Sequence, residues 1–178
     1  MEEYVPDVYK KNVHDINYKK LKKQGIKCLL FDLDNTLAHP RISFKAKRKP
    51  TPKVKKLFKE LEKMGFKIIV FSNGLKQNVL GYSNQLKVDS IYQAKKPKSK
   101  NFEKVMKDNK LKETQMAMIG DQLLTDIKGG NLMNMTTILV RPFTKKEFIF
   151  TKFNRLAEKR VIKKLSKKDM FRVGKYYE

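Results

Sequence analysis

Tryptophan is absent from this 178-residue sequence, cysteine occurs once, at Cys28, and histidine twice, at His14 and His39. A single thiol excludes a disulfide framework and a CxxC metal knuckle, and it fits a reducing compartment. Neither histidine stands in a motif, and both read as surface residues. No apolar run approaches the ~18 residues needed to span a bilayer. The opening MEEYVPDVYKKN lacks the apolar core of a signal peptide. These absences point to a cytoplasmic protein, either free or held at the inner face of the membrane.

Acid is scarce too: 18 Asp and Glu stand against 42 Lys and Arg, for a net charge of +24. Such a charge would draw a polyanion, either nucleic acid or an anionic membrane face. Scattered lysine is equally the ordinary solvated surface of a lysine-rich chain, and 36 of the 42 basic residues are lysine. Lysine is a point charge rather than a bidentate reader of base edges. No zinc-finger or RNA-recognition motif is present, so nucleic acid is the weaker of the two partners.

What is there alternates. Apolar runs at 27–33, 66–72, 89–94, 115–121 and 136–142 read as strands. Between them, 54–65, 75–86, 99–109 and 123–133 carry helical spacing, with Gly65 as a stop, Ser99 as an N-cap, and Gly129 and Gly130 ending the last. Buried strands joined by helical crossovers predict an α/β, Rossmann-like three-layer fold with a mainly parallel five-stranded sheet. The length suits one domain over 1–178, with a core of about 27–142, an N-terminal helix at 12–25 and a basic helical segment at 144–178. In such sheets the site lies at the carboxyl ends of the strands. Polar residues interrupt the apolar runs at those places: Asp32 and Asp34, Ser72 and Asn73, Lys95 and Lys96, and Asp121.

Asp32, Asp34, Asp121 and Asp126 would bring several carboxylates together. Crowded carboxylates either rise in pKa or share a cation, and oxygen ligands without His or Cys favour Mg²⁺. A lysine and a serine on the same rim add an ammonium and a hydroxyl. Around a carboxylate free to attack phosphorus, this is the chemistry of phosphoryl transfer.

The chain resembles the haloacid dehalogenase superfamily of aspartyl-phosphate phosphatases. Four motifs appear in order: FDLDNTL for DxDx[TV], FSN after the second strand, KKP, and GDQLLTD. The resemblance implies Asp32 as nucleophile and Asp34 as general acid and then base, its carbonyl binding Mg²⁺. It implies Ser72 on the phosphoryl group, with Asn73 and Gly74 beside it, and Lys96 as the motif lysine, with Lys95 as its rival. Asp121 would bind Mg²⁺, and Asp126 would be a ligand or stand behind one. Only 39 residues separate Leu33 from Asn73, and only 22 separate Asn73 from Lys96, so neither gap holds a folded cap domain. That is the pattern of the capless subclass III. FDLDNTL, SNG, AKKP and IGDQLLTDIKGGNLM…TILVRP together resemble its IIIA phosphatases related to phosphatidylglycerophosphate phosphatases, with Gly74 standing where many relatives have Asn. A phosphate monoester on a small molecule or lipid head group is the substrate this implies.

Two flanks carry the excess charge. From Asn35 to Lys59 there are nine basic residues and no acid, and Pro40, Pro50 and Pro52 mark 38–53 as a loop that would overhang the site. Segment 144–178 has twelve basic and four acidic residues, with Phe148, Phe153, Leu156, Val161 and Leu165 forming a broken apolar face. That face either packs on the domain or lies on an anionic membrane. The leading reading is a Mg²⁺-dependent phosphatase acting on phosphatidylglycerophosphate or a similar phosphoester. The alternatives are a phosphatase for a soluble nucleotide or sugar phosphate, and a basic module on the same scaffold that binds RNA or ribosomes.

Overall fold

The computed structural model describes residues 1–40, 48–144 and 149–178, with the side chains of 149–155 outside the description. Six strands form one parallel sheet: β1 (Val8–Lys10), β2 (Cys28–Phe31), β3 (Lys67–Phe71), β4 (Asp89–Ile91), β5 (Met116–Gly120) and β6 (Thr136–Val140). Their order is β1-β6-β5-β2-β3-β4. The sequence predicts five strands. The sixth, β1, is only three residues long and pairs in parallel with β6 through Val8↔Ile138 and Lys10↔Val140. Its sequence, VYK between Asp7 and Lys11, forms no apolar run by which to be seen.

Period-two alternation splits each central strand between two layers. Leu29 and Phe31 of β2 join Ile68, Val70, Ala117 and Ile119 on one face, under α1 (Tyr18–Lys23), α2 (Pro52–Lys63) and α3 (Lys76–Leu86). Cys28 and Leu30 join Ile69, Phe71, Met116 and Met118 on the other, against Phe102 and Val105 of α4 (Lys100–Asn109). The local chemistry of α2 explains its ends. Thr51 Oγ1 accepts from Val54 N at 3.2 Å, Pro52 begins the helix, and Gly65 at φ +80° turns the chain out of it. Its buried Val54, Leu57, Phe58 and Leu61 are worth roughly 1.5–3 kcal/mol each relative to exposure.

Three expectations change. The predicted helix at 12–25 is a 3₁₀ turn, Val13–Asp15, followed by the short α1. Ser99 occupies the start of α4 without a side-chain capping bond. The predicted helix at 123–133 is a π-helical turn, Leu123–Ile127, continuing into α5 (Lys128–Leu132). Gly129 and Gly130 lie buried inside α5 rather than ending it. A β-carbon at Gly130 would press on Thr137 and Met118 of the sheet, so close packing is what these glycines serve.

The carboxy-terminal α6 (Ile149–Lys167) packs on the end of the sheet. Val161, Ile162 and Leu165 meet Leu123, Ile127, Leu139 and Tyr9. Leu156 is 54% exposed and takes no part in that face. Phe148 and the side chain of Phe153 fall outside the described residues. The final turn of chain returns to β1: Tyr9 N donates to Tyr177 O at 2.9 Å, and Tyr177 N to Tyr9 O at 3.0 Å. Among the described residues, the connection from β2 to β3 contributes α2 and that from β3 to β4 contributes α3. No helix among them is long and apolar enough to cross a membrane.

Candidate active site

The strand order reverses at β2. From β2 the chain builds outward through β3 to β4, and it then crosses to β5 on the other side of β2. Such a switch point opens a crevice at the carboxyl ends of the strands. Phe31 is the last residue of β2, and Asp32 N still donates to Ile119 O of β5 at 2.9 Å. The Asp32 side chain therefore starts at a fixed point at the mouth of the crevice.

A tight turn follows. Asn35 adopts φ +64°, a left-handed conformation that asparagine tolerates better than most residues. Its N–H donates to Ala38 O at 2.7 Å, and the N–H groups of Leu37 and Ala38 both donate to Leu33 O. The turn leaves Asp34 more open than Asp32, with side chains 39% and 10% exposed. Asp34 is paired with the guanidinium of Arg48, which also donates to His39 O at 3.3 Å.

Lys96 is the hub. Its Nζ donates to Asp32 Oδ1 at 2.6 Å and to Phe71 O at 2.8 Å, and it is ion-paired at 2.7 Å with Asp126 Oδ1, a buried oxygen that accepts no hydrogen bond among the described residues. Its backbone is held as firmly. Lys96 N donates to Asn73 Oδ1 at 2.8 Å, and Asn73 Nδ2 donates to Lys96 O at 3.2 Å. The neighbouring Lys95 is exposed, so of the two lysines in KKP it is Lys96 that turns to the carboxylates. Ser72 is buried and accepts from Gly74 N at 3.0 Å, an arrangement that leaves its own proton to donate.

The third side comes from the segment after β5. Asp121 is buried and accepts from Thr36 Oγ1 at 3.4 Å. The π turn carries one more residue than an α turn and presents Asp126 inward, where its Oδ2 accepts from Gln122 N at 3.1 Å. Gly120 makes room for it, because a β-carbon there would overlap the Asp126 carboxylate. Leu123 N, at the start of the turn, donates to Glu158, a buried carboxylate of α6.

Asp32, Asp121 and Asp126 each offer an oxygen within 4.8 Å of the others, and all three residues are buried. Burial pushes the Asp32 carboxyl up to about 7; Lys96 pulls the other way, and Asp126 and Asp34 add to the rise. Burial alone would lower Lys96, but Asp126 and Asp32 more than reverse it and hold the ammonium charged. Three carboxylates against one ammonium leave an excess of negative charge. The all-oxygen donor set, without His or Cys, suits a hard divalent cation.

Asp32, Ser72, Lys96, Asp121 and Asp126 are thus brought together from four strand ends. Asp34, Asn73 and Gly74 border them. Sequence reasoning gave no individual role to Thr36, the last residue of DxDx[TV], to Arg48 within the 38–53 loop, or to Glu158. Glu158 did leave a trace, as one of four acids in a segment with twelve basic residues. Arg48 was only one of nine basic residues in its stretch. Arg41, Lys45 and Lys47 of that stretch lie outside the described residues.

The chain as a whole is similar to known proteins. The chain is 36% identical over 165 residues to the probable phosphatase YqeG of Bacillus subtilis, covering 93% of both chains. It is 28% identical to the chloroplastic phosphatidylglycerophosphate phosphatase 1 of Chlamydomonas reinhardtii, across 79% of this chain and 54% of the algal one, about half of its length. The cobalt-bound deoxy-D-mannose-octulosonate 8-phosphate phosphatase of Haemophilus influenzae shares the fold. Its TM-score is 0.54 at 17% identity, over 66% of this chain and 69% of that one. The family model described as haloacid dehalogenase-like hydrolase matches residues 39–140, more than half of the sequence. With that match over more than half of the sequence and a relative 36% identical across 93% of both chains, the chain belongs to the haloacid dehalogenase-like hydrolase family.

Proposed function

We propose that this protein is a Mg²⁺-dependent phosphatase that hydrolyses a phosphate monoester through an aspartyl-phosphate on Asp32. The observation that carries the reading is the buried pairing of Asp32 with Lys96 beside Asp121 and Asp126. A carboxylate at a strand end, facing a crevice and held by an ammonium, is a positioned nucleophile. Its attack on phosphorus forms the acyl phosphate and expels the alkoxide. Asp34 gives that oxygen a proton and then takes one from the water that cleaves the acyl phosphate. Lys96 and the Ser72 hydroxyl meet the charge on the phosphoryl oxygens. Asn73 acts through its grip on the Lys96 backbone, and Gly74 through its N–H to Ser72. Asp32, Asp121 and Asp126, with the Asp34 carbonyl, would hold Mg²⁺, which supplies Lewis-acid neutralisation of the phosphoryl charge.

The substrate class we favour is a lipid head-group phosphomonoester, as named for the algal relative. Exposed Lys49, Lys53, Lys55, Lys56 and Lys59 follow Arg48 and would favour an anionic surface around it. The test is Mg²⁺-dependent phosphate release from an aryl phosphate, from phosphatidylglycerophosphate in vesicles, and from nucleotide and sugar phosphates. We expect the vesicle substrate to turn over fastest and Asp32→Asn to abolish release without lowering the melting temperature. Full turnover by Asp32→Asn would overturn the mechanism. Equal turnover with and without anionic lipid would overturn the substrate class.

A further inference from the structure

Arg48 stands apart from the charge around it. Among the described basic residues of 35–59, it is paired into the site, while Lys49, Lys53, Lys55, Lys56 and Lys59 point to solvent. Its side chain is only 13% exposed. Its own carbonyl accepts from Gln85 Nε2 of α3 at 3.1 Å, and its guanidinium also reaches His39 O. The segment after 47 is therefore anchored where it meets the site, on the side of Asp34.

That pairing conflicts with the role assigned to Asp34 above. The guanidinium occupies Asp34 Oδ1, an oxygen that would hold the leaving group's proton. Both oxygens of the carboxylate are open to the leaving group only when Arg48 releases it. An incoming anion competes with Asp34 for that guanidinium, whose planar fork matches phosphate and carboxylate oxygens in pairs. The group that lies next to Asp34 during the reaction is the leaving group itself. We propose that Arg48 is a specificity-determining residue that binds a second anionic group on the leaving-group side. Its substrates are then phosphomonoesters whose alcohol carries a further phosphate, phosphodiester or carboxylate a few atoms away. Binding of that second anion draws Arg48 off Asp34 and frees the carboxylate for proton transfer. A substrate with a neutral alcohol leaves Arg48 where it is. This rests on the phosphatase reading and adds a selection rule to it.

Two probes that differ only in the second charge test it: 3-hydroxypropyl phosphate and propane-1,3-diyl bisphosphate, with Mg²⁺ and the full chain. For the unaltered protein we expect kcat/KM to favour the bisphosphate by about tenfold or more, the worth of a charged hydrogen bond. Arg48→Ala should bring that ratio near one from both sides, lowering kcat/KM for the bisphosphate, which loses its partner, and raising it for the monophosphate, whose Asp34 is no longer held. Arg48→Lys, which keeps the charge but not the fork, should fall between. Melting curves establish that both variants fold. A ratio unchanged by Arg48→Ala, or equal loss on both probes, would overturn the role of Arg48 while leaving the phosphatase reading intact. No Mg²⁺-dependent release from either probe by the unaltered protein would overturn both.

Discussion

Replacing Lys96 by methionine keeps the length of the side chain and removes its charge. The ammonium sits 2.6 Å from one buried carboxylate and 2.7 Å from another. At an effective dielectric near 20, each contact corresponds to about 6 kcal/mol of Coulomb attraction before desolvation is subtracted. Much of that is offset by the cost of taking three charges out of water, and truncating one partner of a buried pair leaves a penalty of about 3–5 kcal/mol. In a chain of this size, that lowers the melting temperature by roughly 10 °C. The assay is urea or thermal unfolding in EDTA, repeated with Mg²⁺. In EDTA, Lys96→Met should show the full loss. Added Mg²⁺ should stabilise the variant more than the unaltered protein, because the cation then compensates carboxylates that nothing else does. Phosphate release should fall by roughly 10²-fold or more at saturating Mg²⁺, since no donor replaces the ammonium on the phosphoryl group. A variant in EDTA within about 1 kcal/mol of the unaltered protein would refute the claim that Lys96, Asp32 and Asp126 are held as one charge-balanced unit.

Glu158→Ala should cost about 1–3 kcal/mol, because Leu123 N–H is left buried without its acceptor. It should also raise the Mg²⁺ concentration needed for half activity, because the turn that begins at Leu123 presents Asp126. Glu158→Gln should recover much of both, as read by urea unfolding and Mg²⁺ titration. Cys28 is fully buried and its thiol is pushed up to about 12 by burial, with Lys67 opposing and Asp89 adding to the rise. An aromatic disulfide reagent at pH 8 should therefore label it only as fast as the protein unfolds. Between pH 9 and 12 the unfolded thiol ionises while the folded one keeps its proton, so the Cys28 contribution to stability falls as pH rises. Cys28→Ala should show a correspondingly shallower fall in chemical denaturation across that range.

The central sheet was legible because its strands are buried on both faces and so read as continuous apolar runs. CLLF of β2 and MAMIG of β5 have no exposed residue. The site was legible for the same reason: a carboxylate ending such a run has nowhere to go but the rim. What escaped was contact made across the chain. β1 is a strand only because β6 offers it an edge. Glu158 is a buried acceptor for Leu123 N–H, 35 residues away in the chain. Ser99 illustrates the opposite failure, a residue of the right type at the right place whose backbone sits in the αR region and makes no cap. The choice between Lys95 and Lys96 was likewise settled by backbone conformation, with Lys95 in a left-handed turn at φ +54° that sends its neighbour inward.

The return of Tyr177 to Tyr9 bears on how the protein behaves among its own copies. β1 is the outermost strand on its side, and an open strand edge recruits other chains. Here the last residues occupy part of that edge through two backbone hydrogen bonds, with Tyr176 and Phe171 against the Tyr9 ring at 4.7 and 5.2 Å and Glu178 paired to Lys10 at 2.9 Å. The other end of the sheet is guarded differently, by a three-residue β4 that opens on a charged pair, Lys67 with Asp89. Truncating the chain before Arg172 would leave the catalytic crevice untouched and bare the β1 edge. The expected outcome is unchanged turnover with increased self-association, read by light scattering.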